Sequence, residues 1–480
     1  MTCLVSLSAC AVGPDYERES LDLRLNSEFI NTSNVSDPAH SISKWWTRID
    51  DTLLNSYVDS LLMENLALQQ AAERVIQAQE RVRIERGSLA PSLGSDVSAS
   101  RSFSSVSSGL SSSSGRAYTT SYGADLSVSW TLDLFGKIRR SVESSEARFE
   151  ASQFDHQALT HALIAELVQR RIAIAINYTR LQLANQNVEN RQDTYELVHN
   201  RYNLGVQGTN AADVFLAEEN YESVKSDIHE FERLLAEEIY QFDVLLGQMP
   251  GTTSPLASDF PLLPAPLDVP VCVPASLIDR RPDLRASELR LEAATADIGV
   301  AIADLYPSLN LGGSIGFSGE DLDDLLRADQ LAGSILGSIT TRLFEGGRLR
   351  ANIRLQESVA REQAAVYAEN ILNAVREVET ALKAEKELEQ EIFSLEKSVL
   401  ALENAEEISK ERYLRGILPL QSYLDTQQRR YNIEQSYLTA QQQKWNSRIS
   451  LYLALGGDWF DDISSIENKC KEVPEGVKDE

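Results

Sequence analysis

The sequence predicts a membrane protein of mixed α/β class, in which very long helices carry a few amphipathic strands that complete a β-barrel only when several chains combine. Tyr118 to Phe135 is the first observation behind this. Tyr118, Thr120, Tyr122, Ala124, Leu126, Val128, Trp130 and Leu132 alternate with Thr119, Ser121, Gly123, Asp125, Ser127, Ser129, Thr131 and Asp133. That is period two, with one greasy face and one of hydroxyls, glycine and carboxylates. With aromatics towards both ends, it reads as a strand crossing a bilayer around water. The second observation is that no run of about 18 or more apolar residues exists, which excludes a transmembrane helix on length. The third is that nearly all the remaining chain has helical periodicity. A few strands set among helices would leave unpaired edges in lipid, so the barrel must be shared.

The chain has 480 residues and a formal net charge of -27, long enough for several domains and too acidic for a nucleic-acid partner. Leu7-Ser8-Ala9-Cys10 follows the apolar pair Leu4-Val5, the pattern of a bacterial lipoprotein signal, with Cys10 as the residue that takes the lipid. Residues 1–9 are then a partial signal peptide, because no Lys or Arg precedes Cys10 and a whole signal needs roughly 15–30 residues. Residues 10–50 are a lipidated N-terminal tail. One acyl chain anchors only marginally, which leaves the barrel as the main hold on the membrane.

From Trp45-Trp46 order is expected. Asp51 is placed to cap a helix whose apolar positions run from Leu53 through Leu61 to Ala78, predicting one helix over 52–86. Pro91 opens a hairpin over 91–135, with residues 104–115, rich in Ser and Gly, as its tip. No Pro or Gly lies between Gly136 and Gly205, so a very long helix follows, turns at Gly205 and Gly208, and returns to Gly247. A Pro-rich linker occupies 251–279.

The chain then repeats itself. Leu89-Ala90-Pro91-Ser92-Leu93 returns as Leu305-Tyr306-Pro307-Ser308-Leu309, and Arg201-Tyr202-Asn203-Leu204-Gly205 as Arg412-Tyr413-Leu414-Arg415-Gly416. The spacing from 136 to 201 equals that from 347 to 412, which marks a duplication: 51–250 and 280–457, the second with a hairpin at 307–344 and a helical hairpin at 347–456. Each long helix reaches about 100 Å at ~1.5 Å per residue. The return helices are too short to match, so each is expected to stack end to end with a shorter helix, 52–86 or 282–303. Residues 458–480 form a C-terminal tail. Four strands per chain cannot close a barrel; two chains give eight and three give twelve, and counting alone does not choose.

Arg280-Arg281-Pro282-Asp283-Leu284-Arg285-Ala286, Ile298-Gly299-Val300-Ala301, Tyr306-Pro307-Ser308-Leu309-Asn310-Leu311 and Leu343-Phe344-Glu345-Gly346-Gly347-Arg348 together resemble the outer-membrane factor family of TolC, and especially its OprM/NodT lipoproteins. The likeness extends from Cys10-Ala11-Val12-Gly13-Pro14-Asp15-Tyr16 to Gly456-Gly457. The resemblance implies a homotrimer with a twelve-stranded transmembrane β-barrel continued by a long α-helical barrel through the periplasm. It also implies partners: a periplasmic adaptor, an inner-membrane pump and outer-membrane lipid. Arg201, Gly205, Arg412 and Gly416 would then be adaptor-docking tips. Asp425 matches the family's constriction aspartate, and Arg412, Tyr413 and Asp213 its tying residues, although the first tip is two residues longer than the usual pattern. Like carboxylates brought together repel one another and attract cations, so such an aperture needs ties.

Cys272 and Cys470 could form a disulfide in an oxidising periplasm, or stay as two thiols. Enzyme chemistry finds no support: His40, His156, His161, His199 and His229 have no ligand spacing, and Gly346-Gly347 lacks a nucleotide-loop context. No cofactor is expected beyond the lipid on Cys10. The expected function is a passive exit duct of a tripartite efflux system in the outer membrane of a Gram-negative bacterium. The alternatives are a protein-secretion channel and a non-conducting envelope coiled coil. Only 3 Met argue against a methionine-lined copper route.

Overall fold

In the computed structural model the described residues are 11–18, 29–30, 44–49, 51–107, 114–253, 280–324 and 327–456. Cys10, Cys272, Cys470 and His40, the signal, most of the linker and the C-terminal tail lie outside them. The chain divides into two units, one of residues 1–22, 73–153 and 286–368, the other of 23–72, 154–285 and 369–480.

The duplication is explicit in the elements. Helices α2 (Leu66–Gly87), α3 (Lys137–Asn203) and α4 (Ala211–Leu245) have 22, 67 and 35 residues. In the second half α5 (Pro282–Ala303), α6 (Arg348–Leu414) and α7 (Leu420–Ala454) have 22, 67 and 35 again. Each half inserts a hairpin before its long helix, β1 (Ser92–Ser107) with β2 (Ser114–Leu132) and β3 (Ser308–Gly319) with β4 (Leu331–Thr340).

The first unit holds one antiparallel sheet of order β1-β2-β3-β4. Its register puts Leu93 opposite Val128, Leu126 opposite Ile315, Trp130 opposite Leu311 and Leu309 opposite Ile339, so one face is mainly apolar, with Ser95 within it and Arg101 and Arg116 over the Tyr118 and Phe103 rings towards the hairpin tip. The other face is zipped by hydroxyls and amides: Ser92 with Ser129 at 2.7 Å, Ser100 with Ser121 at 2.8 Å, Thr131 with Asn310 at 2.9 Å and Ser314 with Ser334 at 2.8 Å. Asp96 sits directly across from Asp125 on that polar face. β1 and β4 are the sheet's edges, each with one row of backbone groups open to another strand.

Several boundaries differ from the expectation. The 104–115 tip is shorter, because pairing continues to Ser107 opposite Ser114. β2 ends at Leu132 rather than at Phe135, because the Asp133 carboxylate turns back to accept from Arg139 N at 2.9 Å and pairs with its guanidinium. β4 stops at Thr340, leaving Leu343 and Phe344 outside the strand and over nine-tenths or nearly so exposed. At the turns into α3 and β3, Phe135 stacks on Tyr306 at 4.7 Å. The N-terminal residues 11–18 lie along this unit: Val12 N donates to Phe135 O at 3.2 Å, the buried Arg140 pairs with Asp15 at 2.5 Å and Glu143 at 2.8 Å, and Glu288 takes Arg18 at 3.1 Å.

In the second unit, the expected single helix over 52–86 is broken. Asp51 caps α1 (Thr52–Glu64) as expected, accepting from Leu53 N and Leu54 N. Asn65 then takes an extended conformation. Its side chain caps α2 through Ala67 N and Leu68 N and donates to Leu245 O at 2.7 Å. This buried amide joins the end of α4 to the start of α2, so α2 alone is the short partner. The helix ends do meet here, and the second half repeats the junction where Gly456 meets Arg280. A Cβ at Gly247 would lie 2.5 Å from Glu64 O, which is why that junction takes only glycine. Leu54, Leu61, Leu167, Ile176, Phe242, Val378 and Ile449 anchor a core drawn from both halves of the duplication.

Candidate functional site: the helical tips

The two helical hairpins turn by the same device. At the end of α3, Val206 N donates to Arg201 O and Gly205 N to Tyr202 O; at the end of α6, Ile417 N donates to Arg412 O and Gly416 N to Tyr413 O. Both are Schellman caps, and they need a left-handed residue where φ is +66° at Gly205 and +71° at Gly416. The sequence fragment Arg-Tyr-x-x-Gly occurs twice because it encodes this cap twice. The tips differ afterwards. Helix α4 starts six residues beyond Gly205, with Asn210 as its cap, whereas α7 starts four beyond Gly416, after Pro419.

Within one chain, only part of the expected set comes together. Tyr413 is buried and Arg201, not Arg412, covers it: the Arg201 guanidinium stands 5.3 Å from the Tyr413 ring centre, and its Nη1 donates to Leu414 O at 3.1 Å. At the tips, Arg201 therefore ties the two hairpins of one chain. Arg412 is exposed. Asp213 closes a capping box, its carboxylate accepting from Asn210 N at 2.9 Å, and so serves the longer first tip rather than a hydrogen bond to Tyr413. It is close enough to act by charge: burial first and then Asp213 push the Tyr413 hydroxyl up, while Arg201 pulls it down. Asp425 is exposed on α7 and accepts from Gln421 at 2.9 Å.

Above the tips the two hairpins hold themselves together differently. On α3 and α4, Tyr195 stacks on Tyr221 at 6.2 Å. The matching positions of the second hairpin are Glu406 and Arg430, an ion pair at 3.1 Å that Glu434 joins at 2.9 Å. Periodicity could not show this, since Tyr, Glu and Arg all suit a helix flank. Tyr431 meanwhile donates to Asp227 at 3.1 Å across α7 and α4. Burial, the largest cause at each, raises the pKa of Asp227 and Glu434 from their usual values, against the pull of Tyr431 and Arg430 respectively. The folded chain therefore takes up these protons at higher pH than the unfolded chain does, so their contribution to stability grows as pH falls and is lost as pH rises through the raised values. Melting curves at pH 7 and at the upper carboxylate range will show a smaller pH gain for Asp227→Asn than for the wild type.

Residues 57–248 and 273–457 match the outer membrane efflux protein family. The chain belongs to this family. Among its relatives are nodulation protein T of Rhizobium leguminosarum bv. trifolii, 30% identical with 88% of this chain and 89% of that protein covered, and the outer membrane protein OprJ of Pseudomonas aeruginosa, 29% identical with 97% and 96% covered. The fold matches the outer-membrane channel OprN with a TM-score of 0.81 at 29% identity, covering 94% of this chain and all of that one. It matches the open state of the Neisseria gonorrhoeae MtrE channel with a TM-score of 0.78 at 27% identity, covering 95% and 100%. As a family member it is a non-enzymatic efflux channel of the Gram-negative outer membrane, and its four strands are one chain's share of a barrel.

Proposed function

We propose that this efflux channel works as a homotrimer, twelve strands closing around water, and serves as the passive exit duct of a pump whose adaptor meets the tips at Gly205 and Gly416. The observation that carries this reading is the sheet: four strands, apolar on one face and hydroxyl-lined on the other, with two open edges. The relatives favour efflux over protein secretion, since several are named for pumps, among them the toluene efflux protein TtgC of Pseudomonas putida. A lipid on Cys10 fits the same picture. Ala11 and Val12 run beside the turn where β2 ends.

The aperture role of Asp425 is part of the proposal. Exposed carboxylates from three chains near one axis would attract cations into the entrance. In planar bilayers the purified complex will conduct ions and be blocked by divalent or trivalent cations. Asp425→Asn will weaken that block, and unchanged block would place Asp425 away from the aperture. A complex that never conducts would remove the duct reading itself.

A further inference from the structure

Arg191 is a buried arginine that the tip chemistry described above does not use. Its residue exposure is 1%, and its contacts are neutral amides: Nη1 with Asn220 Oδ1 at 3.1 Å and Gln427 Oε1 at 3.2 Å, and Nη2 with Gln428 Oε1 at 3.1 Å. The Nε has no hydrogen-bond partner among the described residues. A buried charge without a carboxylate on it is a poor way to hold a core together. The duplication supplies an internal comparison. The residue as far along α6 as Arg191 is along α3 is Leu402, so the second hairpin fills its equivalent place with an apolar side chain.

The placement of the contacts points to a different use. Asn220 belongs to α4, within the first hairpin, whereas Gln427 and Gln428 belong to α7 of the second. Gln427 in turn donates to Glu406 on α6 at 3.3 Å and to the Tyr423 hydroxyl at 2.9 Å. Tyr423 stacks on Tyr413 at 5.9 Å and 13°, and Tyr413 lies under Arg201. One chain of contacts therefore runs from Arg191 down to the tip and touches all four helices. We propose that Arg191 is a positioning residue of the aperture, a latch that couples the two helical hairpins and, through Gln427 and Tyr423, fixes where Tyr413 stands.

This rests on the exit-duct reading and adds a moving part to it. Parting the hairpins breaks the two glutamine contacts but keeps Asn220, and Glu219 beside it offers the freed guanidinium a carboxylate in water. Asn220 already donates to Glu219 at 3.2 Å. Amide contacts make the docked arrangement specific without making it permanent, because an exposed ion pair waits on the other side. Burial pulls the Arg191 pKa below its usual value, while Glu406 and Glu219 work the other way.

The test uses the full-length assembled complex with spin labels on the exposed positions 218 of α4 and 429 of α7, in a background with Cys272 and Cys470 replaced by serine. Arg191→Met will lengthen the label distance and raise the open probability in bilayers about fivefold or more, as a coupling of ordinary size requires. Arg191→Lys, which keeps the charge but not the fork, will fall between. Gln427→Leu will act in the same direction, and the double substitution will add little to either, a non-additivity that general weakening of the fold does not produce. An unchanged distance together with wild-type conductance in Arg191→Lys and Gln427→Leu would overturn the latch, even if Arg191→Met fails to assemble. The label distance needs no current, so a wild-type complex that does not conduct would sink the duct reading while leaving the latch to be decided by distance alone.

Discussion

Ile335→Lys is expected to eliminate the assembled complex from the outer membrane, while Leu336→Lys, one residue along, leaves it present and conducting. Both side chains are large and apolar, and both are exposed in the single chain, Ile335 at 96% and Leu336 at 64%. The pleat separates them. Ile335 is opposite Gly313 on the face shared with Leu309, Leu311 and Ile315, and Leu336 is opposite Gly312 on the face shared with Ser314 and Asn310. Ile335 also lies midway along β4. A lysine on the lipid face at mid-bilayer costs about 2–4 kcal/mol, and a trimer carries it three times. A lysine facing the water-filled interior is solvated. The check is the amount of heat-resistant complex recovered from isolated outer membranes for the two variants. Equal recovery would mean that the faces are assigned wrongly.

Asp243→Ala is expected to cost about 3 kcal/mol per chain, because one carboxylate replaces several lost backbone partners at once. Asp243 sits at the end of α4 with none of its surface exposed. Its Oδ2 accepts from Gly251 N at 2.6 Å and Thr252 N at 3.2 Å, and its Oδ1 from Thr253 N at 3.1 Å. Those donors belong to the stretch that leaves the first half of the duplication. Removing the carboxylate strips three donors of their charged acceptor and leaves a hole among core residues such as Phe242 and Leu246. Asp243→Asn keeps one acceptor oxygen and is expected to lose less. Denaturation midpoints of the extracted complex, compared for the two variants, check the order; an alanine variant as stable as the wild type would show that water replaces the carboxylate.

Asp243 also shows where sequence reading ends. An aspartate near the end of an amphipathic helix has the look of a solvated residue, and the donors it serves arrive only once the chain has turned. The same holds for Arg191 and Gln427, which sit ten residues before Arg201 and well inside α7. Their spacing places them on helix faces, and nothing in a periodic pattern says which four faces meet. Arg201 was legible as a tip residue but not as the side chain over Tyr413, because its partner lies on the other hairpin, 212 residues away in sequence. Resemblance assigns Asp213 to the gate, and within the single chain it is the third residue of a helix, where its carboxylate closes a cap.

The sequence by itself determined the elements and their duplication. The equal 67-residue helices, the four strands, the polar and apolar sheet faces and the two glycine caps all follow from short-range rules: the period of side chains along a helix or strand and the φ that a turn demands. Only the tertiary structure decided the pairings. It broke the first helix at Asn65 so that its amide could reach Leu245, and it put β2 beside β3, joining the two halves in one sheet. It also gave one hairpin a tyrosine stack where the other has an ion pair. Contacts of that kind depend on where distant segments come to rest, and local periodicity carries no information about that distance.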